Sequence, residues 1–178
     1  MSRKVVASVF LSLDGVAEGV EDLFSGVEDD VVVESLRRGI AVQDAVLLGR
    51  RTFDEWAAFW PTSTLEPFAS FINRVEKFVA TSSPLGLTWA NTTVVPGPVE
   101  AFVRSLKETP GGDIGVHGSL RLTQSLLEAG LVDELHLVVA PALKIRGRKL
   151  FDSGTPRKLT LTRSTVSPNG FLVLDLRV

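Results

Sequence analysis

Hydrophobic positions along the chain follow two periods. Short runs rich in β-branched residues at 4–11, 45–48, 76–81, 92–95, 113–117 and 135–140 predict strands, the last so continuously apolar that it reads as a central strand covered on both faces. Between them lie segments of helical period. Residues 28–38 place Val31, Val32, Ser35 and Leu36 on one side, with Gly39 as the stop. A second helix follows Gly49 and carries Phe53, Trp56, Ala57 and Trp60 as far as Pro61. Further helices are predicted over 66–73, 99–107 and 120–129; in the last, Leu122, Leu126 and Leu127 face the sheet, Ser119 is the expected cap and Gly130 the stop. The tail changes character, because 158–166 and 171–176 flank Ser167-Pro168-Asn169-Gly170, whose Asn-Gly step is a hairpin signal. The expected fold is α/β in three αβα layers, with a mostly parallel central sheet and an antiparallel C-terminal hairpin.

Composition narrows the class. A length of 178 residues and a hydrophobic content of 44% suit one domain over 1–178, and no internal repeat is visible. Net charge is −2 with no lysine- or arginine-rich block, so nucleic acid is not an expected partner. The absence of cysteine excludes disulfides, a thiolate nucleophile and zinc–sulfur sites, and suits a cytoplasmic protein. Arg3-Lys4 ahead of an apolar run also fits the start of a secretion signal, but no small-residue cleavage pattern follows, and a buried first strand is the preferred reading. Elsewhere charges, Pro or Gly interrupt every apolar stretch before the roughly 20 residues a membrane helix needs, so no membrane partner is expected.

The chemistry concentrates at two strand-to-helix turns. In Ala45-Val46-Leu47-Leu48-Gly49-Arg50-Arg51-Thr52-Phe53 a strand breaks at a glycine and restarts as a helix headed by two arginines and a threonine. Glycine lets backbone approach a ligand, the helix start aims N–H groups at an anion, and guanidinium adds fork-shaped charge. Cations in a first turn oppose the helix dipole by about 0.3–1 kcal/mol, which favours a functional over a merely solvated role for Arg50 and Arg51. Ile114-Gly115-Val116-His117-Gly118-Ser119-Leu120 repeats the arrangement without arginines, and Ser82-Ser83 closes a neighbouring strand in the same phosphate-friendly way. Two such turns suggest a dinucleotide. Asp14, after the first strand, is either a turn former or a group that orients nicotinamide or substrate. His117 and His136 are the only histidines, too little material for a metal site or a Ser-His-Asp triad, and neither the Walker pattern nor Gly-x-Gly-x-x-Gly occurs. No metal is expected.

Ser12-Leu13-Asp14-Gly15, Leu48-Gly49-Arg50-Arg51-Thr52-Phe53, Gly112-Asp113-Ile114 through Gly118-Ser119-Leu120, and Gly130-Leu131-Val132-Asp133-Glu134-Leu135 stand in an order that resembles the dihydrofolate-reductase-like superfamily, especially the C-terminal reductase domain of the riboflavin-biosynthesis deaminase-reductase. The resemblance covers nearly the whole chain. It implies a dihydrofolate-reductase-like fold, NADPH as hydride donor, a small heterocyclic or ribosyl-pyrimidine-type substrate, and a homodimer. It places the adenosine 2′-phosphate at Arg50 or Arg51 with Thr52 and Ser82 or Ser83, the pyrophosphate at the backbone of Gly118, Ser119 and Leu120, and Asp14 at the family's motif aspartate. Two departures stand out. No carboxylate falls clearly where folate-reducing relatives bind the pterin, a position that counts to Val33 with Asp30 and Glu34 nearby, which puts dihydrofolate reduction in doubt. Ile145 stands where relatives usually have glycine, predicting altered geometry in the loop over 141–151. Arg146, Arg148 and Lys149 in that loop read as solvated charge, with steering of an anionic substrate as the alternative. The competing class is a degenerate nucleotide-binding protein of the same fold.

Overall fold

A computed structural model describes residues 3–26 and 28–178. Its frame is an eight-stranded sheet of β1 (Val5–Ser12), β2 (Gln43–Gly49), β3 (Glu76–Ala80), β4 (Thr92–Val94), β5 (Asp113–His117), β6 (Glu134–Ala140), β7 (Thr160–Val166) and β8 (Leu172–Arg177), in the order β4-β3-β2-β5-β1-β6-β8-β7. Neighbours from β4 through β6 run parallel, and β8 and β7 pair antiparallel. The helices are α1 (Glu21–Phe24), α2 (Asp30–Ala41), α3 (Arg50–Phe59), α4 (Phe68–Arg74), α5 (Val99–Lys107) and α6 (Leu120–Glu128).

The layers follow from the two-residue period of the strands. Val5, Ala7, Val9 and Leu11 of β1 join Ala45 and Leu47 of β2 and Leu135, Leu137 and Val139 of β6 in one core, against Val103 of α5 and Leu122, Leu126 and Leu127 of α6. The intervening positions face the other way. Val46 and Leu48 pack with Phe53 and Ala57 of α3 and Phe68, Phe71 and Ile72 of α4. Strand β6 lies inside the sheet, as its apolar run predicts, although β5 and β1 are nearer the middle.

Two local expectations change, and one short helix is new. Helix α2 begins where Asp29 accepts from the N–H groups of Val31 and Val32, both at 3.1 Å, and it runs through Gly39 because Ile40 beyond is buried. Burial of that side chain outweighs the roughly 1 kcal/mol helix penalty of the glycine. The loop after β1 contains α1, too short to show a period; its Phe24 stacks on Phe171 at 5.3 Å. Ser119 does not cap α6, since its hydroxyl has other partners.

Candidate functional site

In the parallel part of the sheet the chain leaves β2 and β5, adjacent strands, at the same edge, where open α/β sheets form ligand crevices. A cleft of about 1040 Å³ opens there between the two turns and the loop after β1. Gly49, Arg50, Arg51 and Thr52 line one wall, with Gly118, Ser119 and Leu120 beside them. Ser119 joins the turns: its Oγ accepts from the Gly49 N–H at 2.9 Å and donates to Thr52 Oγ1 at 2.9 Å. A Cβ on Gly49 would meet that oxygen at 3.4 Å, an ordinary van der Waals contact. Gly118 has φ +66°, a conformation that glycine adopts without strain. No side chain caps α3 or α6, which leaves their first turns to the cleft.

The arginines are already oriented. Arg50 Nε donates to both oxygens of Asp54 at 2.9 and 2.8 Å, and its Nη1 reaches Ser83 Oγ at 2.8 Å and the Pro84 carbonyl at 2.7 Å. Ser83 therefore enters the site as a support for Arg50, while Ser82 stays exposed on the same turn and does not line the cleft. Arg51 pairs with Glu55 and with Glu18, each at 2.9 Å. Two further cations line the cleft that the sequence did not single out as cofactor ligands. Arg148, read as loop surface, is a wall residue bound to Glu18, and Arg121 makes no hydrogen bond or ion pair among the described residues. The periodicity that fixes α6 marks Arg121 only as a solvent-side position.

Asp14 points elsewhere. Its carboxylate accepts from Ser12 Oγ at 2.6 Å and from the N–H groups of Lys144 at 3.0 Å and Ile145 at 2.9 Å. Those donors, the Ser12 hydroxyl first, hold its pKa down to about 2, so the group stays ionised and supplies no proton near neutrality. It does not line the cleft. What it secures is the loop after β6, where Ile145 adopts φ +66°. Ile145 thus holds a left-handed backbone conformation that glycine would take without strain.

Neither histidine faces the cleft. His117 bonds Gln43 Oε1 at 2.8 Å beneath Phe68 and Phe71, and burial pushes its pKa down to about 4. His136 sits between Asp175 Oδ1 at 2.5 Å and Ser35 Oγ at 3.3 Å. The sequence offered little for such a serine–histidine–aspartate chain, yet three elements assemble one. Ser35, on the buried face of α2, is only 3% exposed, so the chain docks that helix onto β6 and β8 and presents no nucleophile. On α2 Asp30, Val33 and Glu34 are all exposed, with Glu34 paired to Arg37. Among the described residues no group of three or more His, Asp or Glu is placed to hold a metal ion, and no helix is long and apolar enough to cross a membrane.

This architecture defines the dihydrofolate-reductase-like α/β class with an arginine-lined cleft at the strand ends. Residues 3–173 match the RibD C-terminal domain, and the chain belongs to that reductase family. The uncharacterized protein YyaP of Bacillus subtilis is 26% identical over 155 residues, spanning 84% of this chain and 80% of that one. A putative riboflavin biosynthesis protein from a Shewanella species superposes with TM-score 0.79 at 17% identity over 99% of this chain and 98% of its own. A pyrimidine reductase-like protein from Corynebacterium diphtheriae gives TM-score 0.71 at 16% identity, covering 99% and 92%. The bifunctional deaminase/reductase from Thermotoga maritima gives 0.70 at 17% identity; the chain spans 56% of its length. These structures share the fold.

Proposed function

We propose that the protein is an NADPH-dependent reductase acting on a small heterocyclic or ribosyl-pyrimidine-type substrate. The observation that carries this reading is the Ser119 crosslink, which fuses two glycine turns and two uncapped helix starts into one cleft with four arginines. The donor set fits a dinucleotide. Arg50, oriented by Asp54 and Ser83, serves the 2′-phosphate; Thr52 and the N–H groups of Gly118, Ser119 and Leu120 serve the pyrophosphate, with the Arg51, Arg121 and Arg148 side chains of the same cleft supplying its countercharge. The bound cofactor supplies the hydride. The chain's part is to seat and orient it, and Asp14 acts as a positioning residue through the loop it anchors. A homodimer and a cytoplasmic location belong to the same proposal, the dimer being checked by sedimentation.

Trp56 reports binding, because its ring edge lies about where a Cβ on Gly118 would make van der Waals contact, at 3.6 Å. Saturable quenching by NADPH is expected, and Arg50→Ala should weaken NADPH by about tenfold or more, the worth of a charge-assisted bond, while changing NADH little. Equal losses for both cofactors would overturn the 2′-phosphate assignment. A second reading, cofactor binding without turnover, is favoured by the exposed α2 acids and the fully engaged Asp14. None of the α2 acids lines the cleft, which leaves dihydrofolate reduction without an α2 carboxylate there. Failure to oxidise NADPH with pterins, pyrimidine ribosyl compounds and simple carbonyls would select the binding reading.

A further inference from the structure

The cleft already contains a bound anion, and it belongs to the chain. Glu18 Oε1 accepts from Arg51 Nη1 at 2.9 Å and from Arg148 Nη2 at 2.9 Å, with Arg148 Nε at 3.3 Å, while Oε2 accepts from the Arg148 N–H at 3.2 Å. Two guanidinium groups and a backbone N–H converging on one pair of oxygens is how proteins hold phosphate. The arrangement is not a buried clamp: the Arg51 side chain is 66% exposed and that of Arg148 40%. Nor does the wall depend on it. The loop after β1 and the loop after β6 are tied independently by the Ala17 N–H to the Arg148 carbonyl at 2.9 Å, the Leu150 N–H to the Gly15 carbonyl at 3.0 Å, and the isolated bridge between Val16 and Lys149. Freeing the carboxylate therefore requires the rotation of one side chain and no backbone rearrangement.

We propose that Glu18 is a resident anion that fills the Arg51–Arg148 site in the ligand-free protein and swings out when a diphosphate group enters. The inference rests on the dinucleotide reading of the cleft and adds to it a built-in competitor for the ligand. Like charges a few ångströms apart repel, so carboxylate and diphosphate cannot share the two arginines, and the affinity observed for any diphosphate ligand is reduced by the cost of displacing Glu18. Glu21 lines the same cleft, while the hydrogen bonds and ion pairs of Arg51 and Arg148 go to Glu18 and Glu55, which makes Glu21 the control for general charge.

Calorimetric titration of inorganic pyrophosphate and of NADPH into wild type, Glu18→Gln, Glu21→Gln and the Glu18→Gln, Arg148→Gln double variant tests it. Glu18→Gln, whose melting temperature is read first to show that it folds, should bind both ligands about tenfold more tightly, the scale of two exposed ion pairs. Glu21→Gln should gain far less, and the double variant should lose the gain. Unchanged or weaker pyrophosphate binding by Glu18→Gln, or an equal gain from Glu21→Gln, would overturn the proposal. The two readings fail separately. If neither protein binds NADPH while Glu18→Gln still gains on pyrophosphate, the reductase reading falls and the exchange stands; if both bind NADPH with one Kd, the exchange falls and the reductase reading stands.

Discussion

Gly118 and Ile145 share a backbone conformation, φ +66°, on opposite sides of β1, and they reach it by different means. At Gly118 the sequence supplies the residue that takes a left-handed φ without steric cost. At Ile145 a β-branched residue is held there against a cost of about 1–2 kcal/mol. The difference lies in what surrounds them. Gly118 follows His117 directly out of a buried strand, where the turn is set by its own neighbours. Ile145 sits in an exposed loop and depends on Asp14, 131 positions earlier in the chain, which grips two successive N–H groups. One turn is specified locally and the other is imposed from a distance, so the two sides should break under different treatments.

Acid separates them with the largest effect. Burial, with a smaller contribution from nearby His136, lowers the His117 pKa from 6.5 to about 4, so below pH 6.5 the unfolded chain binds a proton that the folded chain refuses. Stability contributed on the Gly118 side is full above pH 6.5 and falls between there and pH 4, by up to about 3 kcal/mol. For Asp14 the shift is downward from 3.8 to about 2, and its contribution is present above pH 3.8 and lost only as pH falls through 2. Chemical denaturation followed across pH 7 to 4 should show the first loss in wild type and a flatter profile in His117→Gln. An equal slope in the variant would remove His117 as the cause.

Substitution comes next in size. Gly118→Val places a β-branched residue at positive φ and should cost about 2 kcal/mol or more in stability while displacing the backbone from the cleft, so that NADPH quenching of Trp56 is lost as well. Asp14→Ala leaves β5 and its turn intact and frees the N–H groups of Lys144 and Ile145. It should lower the melting temperature less than Gly118→Val and expose the 141–149 segment to protease. Trp56 quenching that survives in Asp14→Ala and vanishes in Gly118→Val would confirm that the two sides are separable; loss in both would join them.

The local side was legible from the chain alone. Val99–Lys107 and Asp113–His117 emerge with the bounds that periodicity predicts, and the Gly49 and Gly118 turns were visible because strand, glycine and helix start are consecutive. What could not be read are contacts between residues far apart in sequence. Arg148 becomes a cleft wall only because β6 lies beside β1, and the Ser119 hydroxyl is taken from its capping role by Gly49, 70 positions away. Lys77 shows the same limit. Its alternation marks a strand, yet nothing local indicates that its ammonium lies fully buried on the carbonyls of Ile72 and Val75 at 2.9 and 2.8 Å, over the Trp89 ring, where burial pulls its pKa to about 8.

The smallest effect is the most pointed, because two glycine effects oppose each other in Ile145→Gly. Removing the side chain relieves about 1–2 kcal/mol of left-handed strain. The new glycine makes the unfolded chain more flexible, which costs about 0.5–1 kcal/mol. Lost burial adds little, since Ile145 is 69% exposed. Strain relief wins by about 0.5–1 kcal/mol, and for a chain of this length the melting temperature should rise by about 2 °C. The sign depends on Asp14: in an Asp14→Ala background the loop is free to leave the left-handed region, no strain is stored, and the same Ile145→Gly substitution should be neutral or destabilising. A double-mutant cycle over these two positions measures that coupling directly. A gain of equal size in both backgrounds would show that Asp14 does not hold Ile145 in its conformation.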